Sequence, residues 1–321
     1  MGRDLALLIP EIAVLLAAVS ALIAEILRRP RASLALAMLG LFVATGLTIR
    51  LVGTDTTVFG GSFRIDALSI WAKLILLPAT MLSLLLASAE VRGTVREGTV
   101  YSLLCLATVG ALILAGAGDM MFLVLGLLLT SLATFALVAY PDDDPATEAA
   151  MKYFVFGSVA GAVMIFGLTY WFGAAGSTMI ADLEGTEAIP LAVIFGLVAV
   201  IVGLGYKASL VPFHFWVPDA YEGGPLSVAA FLSVVPKVGA LFALTQVFRD
   251  LPSESGGPAV IAGLAVLSMT YGYLAALVQD NVVRLLAYSS IAQSGYFLLG
   301  IVALGESSFA LPSIIFFAAA Y

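Results

Sequence analysis

Charge is scarce in this chain. Charged residues make up 11% of its 321 positions, against about 25% in a soluble domain, while 62% are hydrophobic. That balance leaves too little polar surface to cover a water-soluble globule. Histidine and cysteine are rarer still, with one of each. A single cysteine, Cys105, excludes a disulfide within the chain and an iron–sulfur cluster held by its own thiolates, and its apolar neighbours make it a small buried thiol. There is no Walker motif, dinucleotide fingerprint or metal-ligand cluster. Glycine-rich stretches such as GAGD, GSVAGAV and GLGYKAS follow no strand, so they fit close helix packing better than phosphate binding. Redox chemistry and nucleotide hydrolysis are therefore not expected of this chain's own residues. The formal charge of −7 comes mostly from loops such as Asp142, Asp143 and Asp144, and nucleic-acid binding is not expected.

What is abundant is apolar sequence in runs of about 20 residues, the length that crosses a bilayer. Helices are the expected element because they satisfy their own backbone hydrogen bonds in lipid. The expected spans are 5–27, 34–53, 66–89, 99–117, 120–140, 151–173, 189–215, 227–249, 258–279 and 283–304, with an eleventh beginning near Phe309 and cut off at Tyr321. The first run has no basic start and no clear small-residue cleavage site, so it reads as a retained span. With the N-terminus outside, inward loops hold Arg28, Arg29, Arg31, Arg92, Arg96 and Arg284. Arg3, Arg50, Arg64 and Arg249 then face outward, an arrangement the positive-inside rule favours. No linker separates globular units; PDDDPATEAA is an inter-helix loop, and one membrane domain is expected.

Span seven is irregular. Pro212 and Pro218 flank FHFWV, and Pro225 follows EGG. Proline breaks helices, and broken backbone at membrane depth persists where protein or water covers it, as in transport paths.

Three lysines, Lys73, Lys207 and Lys237, have apolar residues on both sides. A charge at the bilayer centre costs about 2.5–3.5 kcal/mol on insertion scales, so each needs a partner, water or deprotonation. A desolvated lysine can release and retake a proton near neutral pH. Lys73 stands near the start of its span, where its ammonium is expected to reach water along the helix. Lys207 precedes His214 by seven residues, about two turns, so both would share a face if the helix continued. A lone histidine is usually a packing residue, but beside a buried lysine and a helix break it is a relay candidate. Lys237 directly follows Pro236. Lys152 lies one turn after Glu148, and an exposed helix-end pair accounts for both.

TEAAMKYFVFGSVAG, GYKASLVPFHFWVPDAYEGGPLSVAAFLSVVPK and AALVQDNVVRLLAYSSIAQSGYFLLG resemble, in order and spacing, subunit N of proton-pumping NADH:quinone oxidoreductase, the respiratory complex I. The likeness runs through nearly the whole chain and is dense from Glu148 to Gly300. It implies an all-α polytopic membrane bundle of the antiporter-like fold, with fourteen helices, two inverted five-helix repeats and broken seventh and twelfth helices. On that plan 1–98 holds the first three helices, 99–249 the first repeat and 258–321 part of the second. The resemblance further implies a proton path through Lys207, Lys237, His214 and Lys152, with Glu148 and Asp119 as secondary candidates. Neighbouring membrane-arm subunits would be partners, and NADH, FMN, iron–sulfur clusters and quinone would sit in other subunits of a bacterial inner-membrane complex.

Two departures from the family stand out. Its fifth helix usually carries a glutamate, in a stretch similar to GLELLSLPLYGLVGY, as charge partner of the seventh-helix lysine. The matching stretch here is GLLLTSLATFALVAY, which puts Leu128 in that place. Asp119 lies nine residues away, about 13 Å along a helix, too far to substitute directly. The other departure is length: the sequence stops inside an eleventh helix, so the family's twelfth-helix lysine lies beyond it and a piece of a longer chain is expected. Related alternatives are a subunit of an Mrp-type cation/proton antiporter, the ion-pumping arm of a membrane hydrogenase, and a structural subunit that has lost pumping with its glutamate. VPFHFWVPDAYEG together with TEAAMKYF favours subunit N.

Overall fold

The computed structural model describes residues 2–94, 96–183, 191–251 and 256–321; the side chains of residues 2, 3 and 183 fall outside this description. The first residues expected in span seven, 189–190, and part of the segment between 249 and 258 lie outside the described residues, as does the Arg3 side chain invoked for orientation.

The helices are α1 (Gly2–Leu7), α2 (Ile9–Ile26), α3 (Pro30–Ile49), α4 (Ala67–Glu90), α5 (Glu97–Ala115), α6 (Met120–Val138) and α7 (Asp144–Ala175). They continue with α8 (Leu191–Lys207), α9 (Trp216–Gly223), α10 (Leu226–Phe248), α11 (Gly257–Ala276), α12 (Val282–Val302) and α13 (Ala310–Ala320). Among the described residues nine helices are long and apolar enough to cross a membrane, with α8 and α13 shorter apolar pieces. This is the all-α membrane bundle expected from the sequence. A short antiparallel hairpin, β1 (Thr56–Val58) with β2 (Phe63–Ile65), was not anticipated. Its turn passes through Gly60 and Gly61 at φ 68° and 102°, a region open to glycine.

Burial identifies the centre. The apolar windows of α10 and α5 are 83% and 78% buried, against 28% for α3 and α11. Small residues bring the central helices together: a Cβ on Gly110 would stand 2.3 Å from Thr130 Oγ1 on α6, and one on Gly239 of α10 would stand 2.9 Å from the Ala111 Cβ on α5. In lipid such contacts replace the hydrophobic force that packs soluble helices.

Helix starts follow local rules at most positions. Proline occupies the first turn of α2, α3, α7 and α11. Asp66 and Ser69 form a reciprocal capping box on α4, and Asp119, Asp143 and Asn281 cap α6, α7 and α12. Among the starts without a side-chain cap of their own are α5 after Arg96 and α10 after Pro225. Glu25, at the end of α2, accepts the Gly98 N–H of α5 at 2.9 Å. Glu90, the last residue of α4, accepts the N–H groups of Leu226 and Ser227 on α10 at 3.0 and 2.9 Å. Carboxylates from other helices thus satisfy orphan donors at the positive ends of the two central helices.

The chain runs up and down, so the starts of α2, α4 and α6 and the ends of α5 and α10 meet on the face that carries the hairpin. There Asp66 pairs with Arg249 at 2.5 Å, Arg249 with Asp250 at 3.5 Å, and Arg64 with Asp250. Gln246 Nε2 donates to the Ala115 carbonyl at 3.0 Å. Burial lifts the Asp66 carboxyl, but the adjacent Arg249 guanidinium and the Ser69 N–H outweigh it and hold the group below its ordinary value.

Candidate functional site

α8 ends on Lys207, and residues 208–215 form a non-helical passage before α9. Ser209 sits at φ 60° in this passage, and the Val211 N–H, freed from helix bonding, is accepted by Ser268 Oγ of α11 at 3.0 Å. The expected break is therefore present and its backbone is covered by protein.

Lys207 is completely buried. Its Nζ donates to Tyr153 OH on α7 at 2.8 Å, and to Ser131 Oγ and Thr134 Oγ1 on α6 at 3.1 Å each. An ammonium has three hydrogens, and three neutral hydroxyl oxygens receive them. Among the described residues no carboxylate pairs with Lys207. Aromatic rings surround the cradle: Nζ lies 5.2 Å from the Tyr153 ring centre and 5.8 Å from that of Phe135. Tyr153 stacks on Trp216 of α9 at 4.2 Å, and Trp216 Nε1 donates to the Tyr206 carbonyl at 2.9 Å.

Lys237, midway along α10, is 1% exposed. Its Nζ donates to the Ser290 carbonyl at 3.0 Å and to Ser290 Oγ at 2.5 Å. Ser290 Oγ in turn lies 3.3 Å from Tyr221 OH on α9. A cavity of about 300 Å³, lined in part by Tyr221, Ser233, Ser289 and Ser290, opens beside this contact. The short helix α9 thus touches both lysine sites, through Trp216 at its start and Tyr221 about 7.5 Å further on.

The other sequence candidates are not gathered at Lys207. His214 is 3% exposed, packs its ring against Phe215 and Tyr271, and has no hydrogen-bond partner on Nδ1 among the described residues. Because α8 stops at Lys207, the unbroken helix on which a face shared by Lys207 and His214 depended is not present. Lys152 is bonded to Glu148 at 2.7 Å and to Asp219 at 2.9 Å, and Arg284 joins Asp219 at 3.0 Å and Glu222 at 2.8 Å. This charged cluster lies on the face opposite the hairpin and ties α7, α9 and α12. Asp219 and Arg284 were not singled out as site residues from the sequence. Asp119 caps α6, accepting the Met121 N–H at 2.6 Å and the Thr178 hydroxyl at 2.7 Å. Leu128 is 42% exposed, on the same outward stripe of α6 as Leu125 and Leu132. Ser131 and Thr134 sit about 60° and about 120° around the helix from it, and the Leu128 side chain itself faces outward rather than into the cradle.

Lys73 corrects an expectation. Its ammonium does not reach water: it is 0% exposed and lies 2.5 Å from Glu11 Oε1 on α2, under the Phe63 ring of the hairpin at 5.5 Å. The hairpin occupies the end of the span that would otherwise be open. Ser131, Thr134, Tyr153 and Glu11 were missed in the sequence; the signal was hydroxyls and one acid inside otherwise apolar spans.

Residues 117–321 match the family described as NADH:quinone oxidoreductase/Mrp antiporter, transmembrane. A curated NADH-quinone oxidoreductase subunit N from Mycobacterium sp. is 40% identical over 275 residues, covering 85% of this chain and 59% of the relative. That of Desulfovibrio desulfuricans is 40% identical over 94% of this chain and 63% of its own length. Subunit N 1 of Streptomyces griseus is 38% identical over 100% and 70%. The chain spans 59% and 63% of the length of the first two of these relatives. Among solved structures, a chain of respiratory complex I from Thermus thermophilus superposes with a TM-score of 0.82 at 28% identity, over 97% of this chain and 68% of that one. A chain of the Mrp complex from Dietzia sp. has a TM-score of 0.84 at 21% identity over 99% and 62%, a likeness of fold alone. With more than half its residues matched and subunit N relatives aligned along nearly its whole length, the chain belongs to the NADH-quinone oxidoreductase subunit N family.

Proposed function

We propose that this chain is the proton-translocating part of a membrane-arm subunit of an NADH:quinone oxidoreductase, with Lys207 as its central proton carrier. The observation that carries this is the Lys207 cradle: a fully buried lysine at a helix break, held by three hydroxyls and, among the described residues, no counter-charge. A carboxylate partner would favour the ammonium alone. A hydroxyl both accepts and donates, so Tyr153, Ser131 and Thr134 can bond either protonation state by rotating their O–H groups. Such a cradle lets the lysine release and recover its proton without leaving a buried polar atom unpaired.

Lys237 serves as the next carrier through Ser290, and α9 links the two sites. His214 is a secondary member, and Lys152 with Glu148 stands at the surface cluster, suited to proton capture rather than storage. On this reading 1–98 is an accessory helix unit, 99–249 the first repeat and 258–321 part of the second. NADH, FMN, iron–sulfur clusters and quinone act in partner subunits, and quinone reduction there drives the lysines electrostatically. The complex lies in the bacterial inner membrane, this chain's N-terminus outside.

The test is Lys207→Met in the assembled complex, reconstituted into liposomes. Proton translocation and the coupled quinone reduction are expected to fall at least tenfold while assembly is retained, with a milder effect for His214→Ala. Wild-type rates for Lys207→Met would sink the proposal.

A further inference from the structure

We propose that Glu11 and Lys73 form a second protonation site, a carboxylate–amine pair among the accessory helices, which exchanges protons with the Lys207 cradle through buried hydroxyls on α4, α5 and α6. The inference rests on the reading of Lys207 as a proton carrier and places an additional carrier outside the repeat that holds it.

The pair itself is the first observation. Lys73 Nζ and Glu11 Oε1 are 2.5 Å apart, with side-chain exposures of 0% and 9%. Apart from this ion pair, neither Lys73 Nζ nor the two Glu11 oxygens has a hydrogen-bond partner among the described residues. Stability does not explain such a site. A buried ion pair is often no better than apolar side chains of similar volume. Leaving further donors and acceptors unmade adds a desolvation cost for each group. A buried donor and acceptor that each have spare valence are what a buried water requires, and water conducts protons.

The second observation is a line of hydroxyls between this pair and Lys207. Thr80, Thr108, Thr130 and Thr134 are all completely buried within apolar helices. Each threonine bonds its own helix backbone, an ordinary habit. Beyond that habit, Thr80 Oγ1 and Thr108 Oγ1 meet across α4 and α5 at 2.8 Å. Thr130 Oγ1 reaches the carbonyl of Ala107, the neighbour of Thr108, at 3.4 Å, and Thr134 Oγ1 touches Lys207 Nζ at 3.1 Å. Thr80 and Lys73 are seven residues apart on α4, so they share a face about 10 Å apart along the axis. Three steps have no direct contact: Thr134 Oγ1 bonds the Thr130 carbonyl rather than its hydroxyl, Thr130 stops at the Ala107 carbonyl, and Thr80 stands a turn or more from Lys73; the route we infer takes a water at each.

The proton balance is simple. The Lys207 ammonium gives a proton to the line, each hydroxyl or water accepting one proton and passing on its own. The Glu11 carboxylate takes the proton that emerges. Lys207 is left as an amine, and Glu11 becomes a carboxylic acid hydrogen-bonded beside the Lys73 ammonium. The pair lies under the hairpin, between Lys207 and the hairpin face, so loss of that proton past Phe63 would complete a lateral exit.

The experiment uses the whole complex in liposomes, comparing Glu11→Gln/Lys73→Met, Thr108→Val and Lys207→Met for assembly, quinone reduction and proton translocation. The double variant removes both charges together and leaves a neutral pair of similar volume. Several-fold loss of translocation in it and in Thr108→Val, with assembly retained, is the expected result. Should the double variant fail to assemble, Thr108→Val, which keeps the shape of threonine, decides alone. A turnover-driven infrared band of a protonated carboxyl, absent in Glu11→Gln, is a second expected readout that a purely structural pair would not produce. Wild-type translocation in the double variant or in Thr108→Val overturns the inference, as does the absence of the Glu11 band. If Lys207→Met abolishes translocation while these variants keep it, the central lysine stands and only the lateral site falls.

Discussion

Tyr153→Phe, measured alone and combined with Lys207→Met, tests whether the cradle holds a charged lysine. The substitution removes one oxygen that lies 2.8 Å from Lys207 Nζ and 3.0 Å from Thr134 Oγ1. It keeps the ring, and with it the stack on Trp216 at 4.2 Å and the edge contact with Phe135 at 4.7 Å. Hydrogen bonds between membrane helices average about 0.6 kcal/mol in double-mutant cycles and reach about 1.7. A charged donor roughly doubles a neutral bond, so an ammonium should couple to Tyr153 by about 1–2 kcal/mol. The assay is reversible unfolding of the subunit in mixed detergent micelles across the four-member cycle. Tyr206→Phe is the neutral reference: it removes a hydroxyl that donates to the Tyr153 carbonyl at 2.8 Å and should cost about 0.6 kcal/mol. If the effects of Tyr153→Phe and Lys207→Met simply add to within about 0.5 kcal/mol, the phenol does not hold the lysine and the cradle argument fails.

Leu128→Glu places an acid on the exposed stripe of α6 rather than in the cradle. No coupling to Lys207 is expected in a double-mutant cycle; coupling above about 1 kcal/mol would mean that α6 sits rotated relative to the structure described above. Asp66 gives a pH prediction with a definite sign. Burial opposes its charge but Arg249 prevails, so its carboxyl lies below the ordinary 3.8. The stability it contributes is present above that ordinary value and disappears as the pH falls through the lowered one. The stability gap between wild type and Asp66→Asn should therefore be flat from neutral pH down to about pH 4 and close only below it; closure between pH 7 and 5 would contradict the pairing.

Much of this architecture could be read from apolar periodicity, because lipid forces each span to be a helix of nearly fixed length. The expected span 66–89 coincides with Ala67–Glu90, and 120–140 with Met120–Val138. Lys207 and Lys237 were visible for the same reason, since a charge inside an apolar run has nowhere to hide. Their partners were not. Serine and threonine in membrane helices normally bond their own backbone, so Ser131 and Thr134 carry no mark that they face a lysine on α8. Lys73 was misjudged because distance to a span end predicts access to water only when that end is open. The hairpin that closes it comes from two three-residue strands, too short for a period-2 pattern to show. The seven-residue spacing of Lys207 and His214 placed nothing, because helical spacing applies only while the helix lasts.

Glu90 sits 136 residues before the Leu226 N–H that it accepts. During synthesis from the N-terminus, α4 is therefore made and inserted long before the helix whose start it completes. α10, which holds Lys237, then arrives beside a carboxylate already waiting for its positive end, and Glu25 offers α5 the same reception. The first helices thus hold the caps for the two most buried helices before those helices are made, giving the order of synthesis a direct hold on where Lys237 comes to rest.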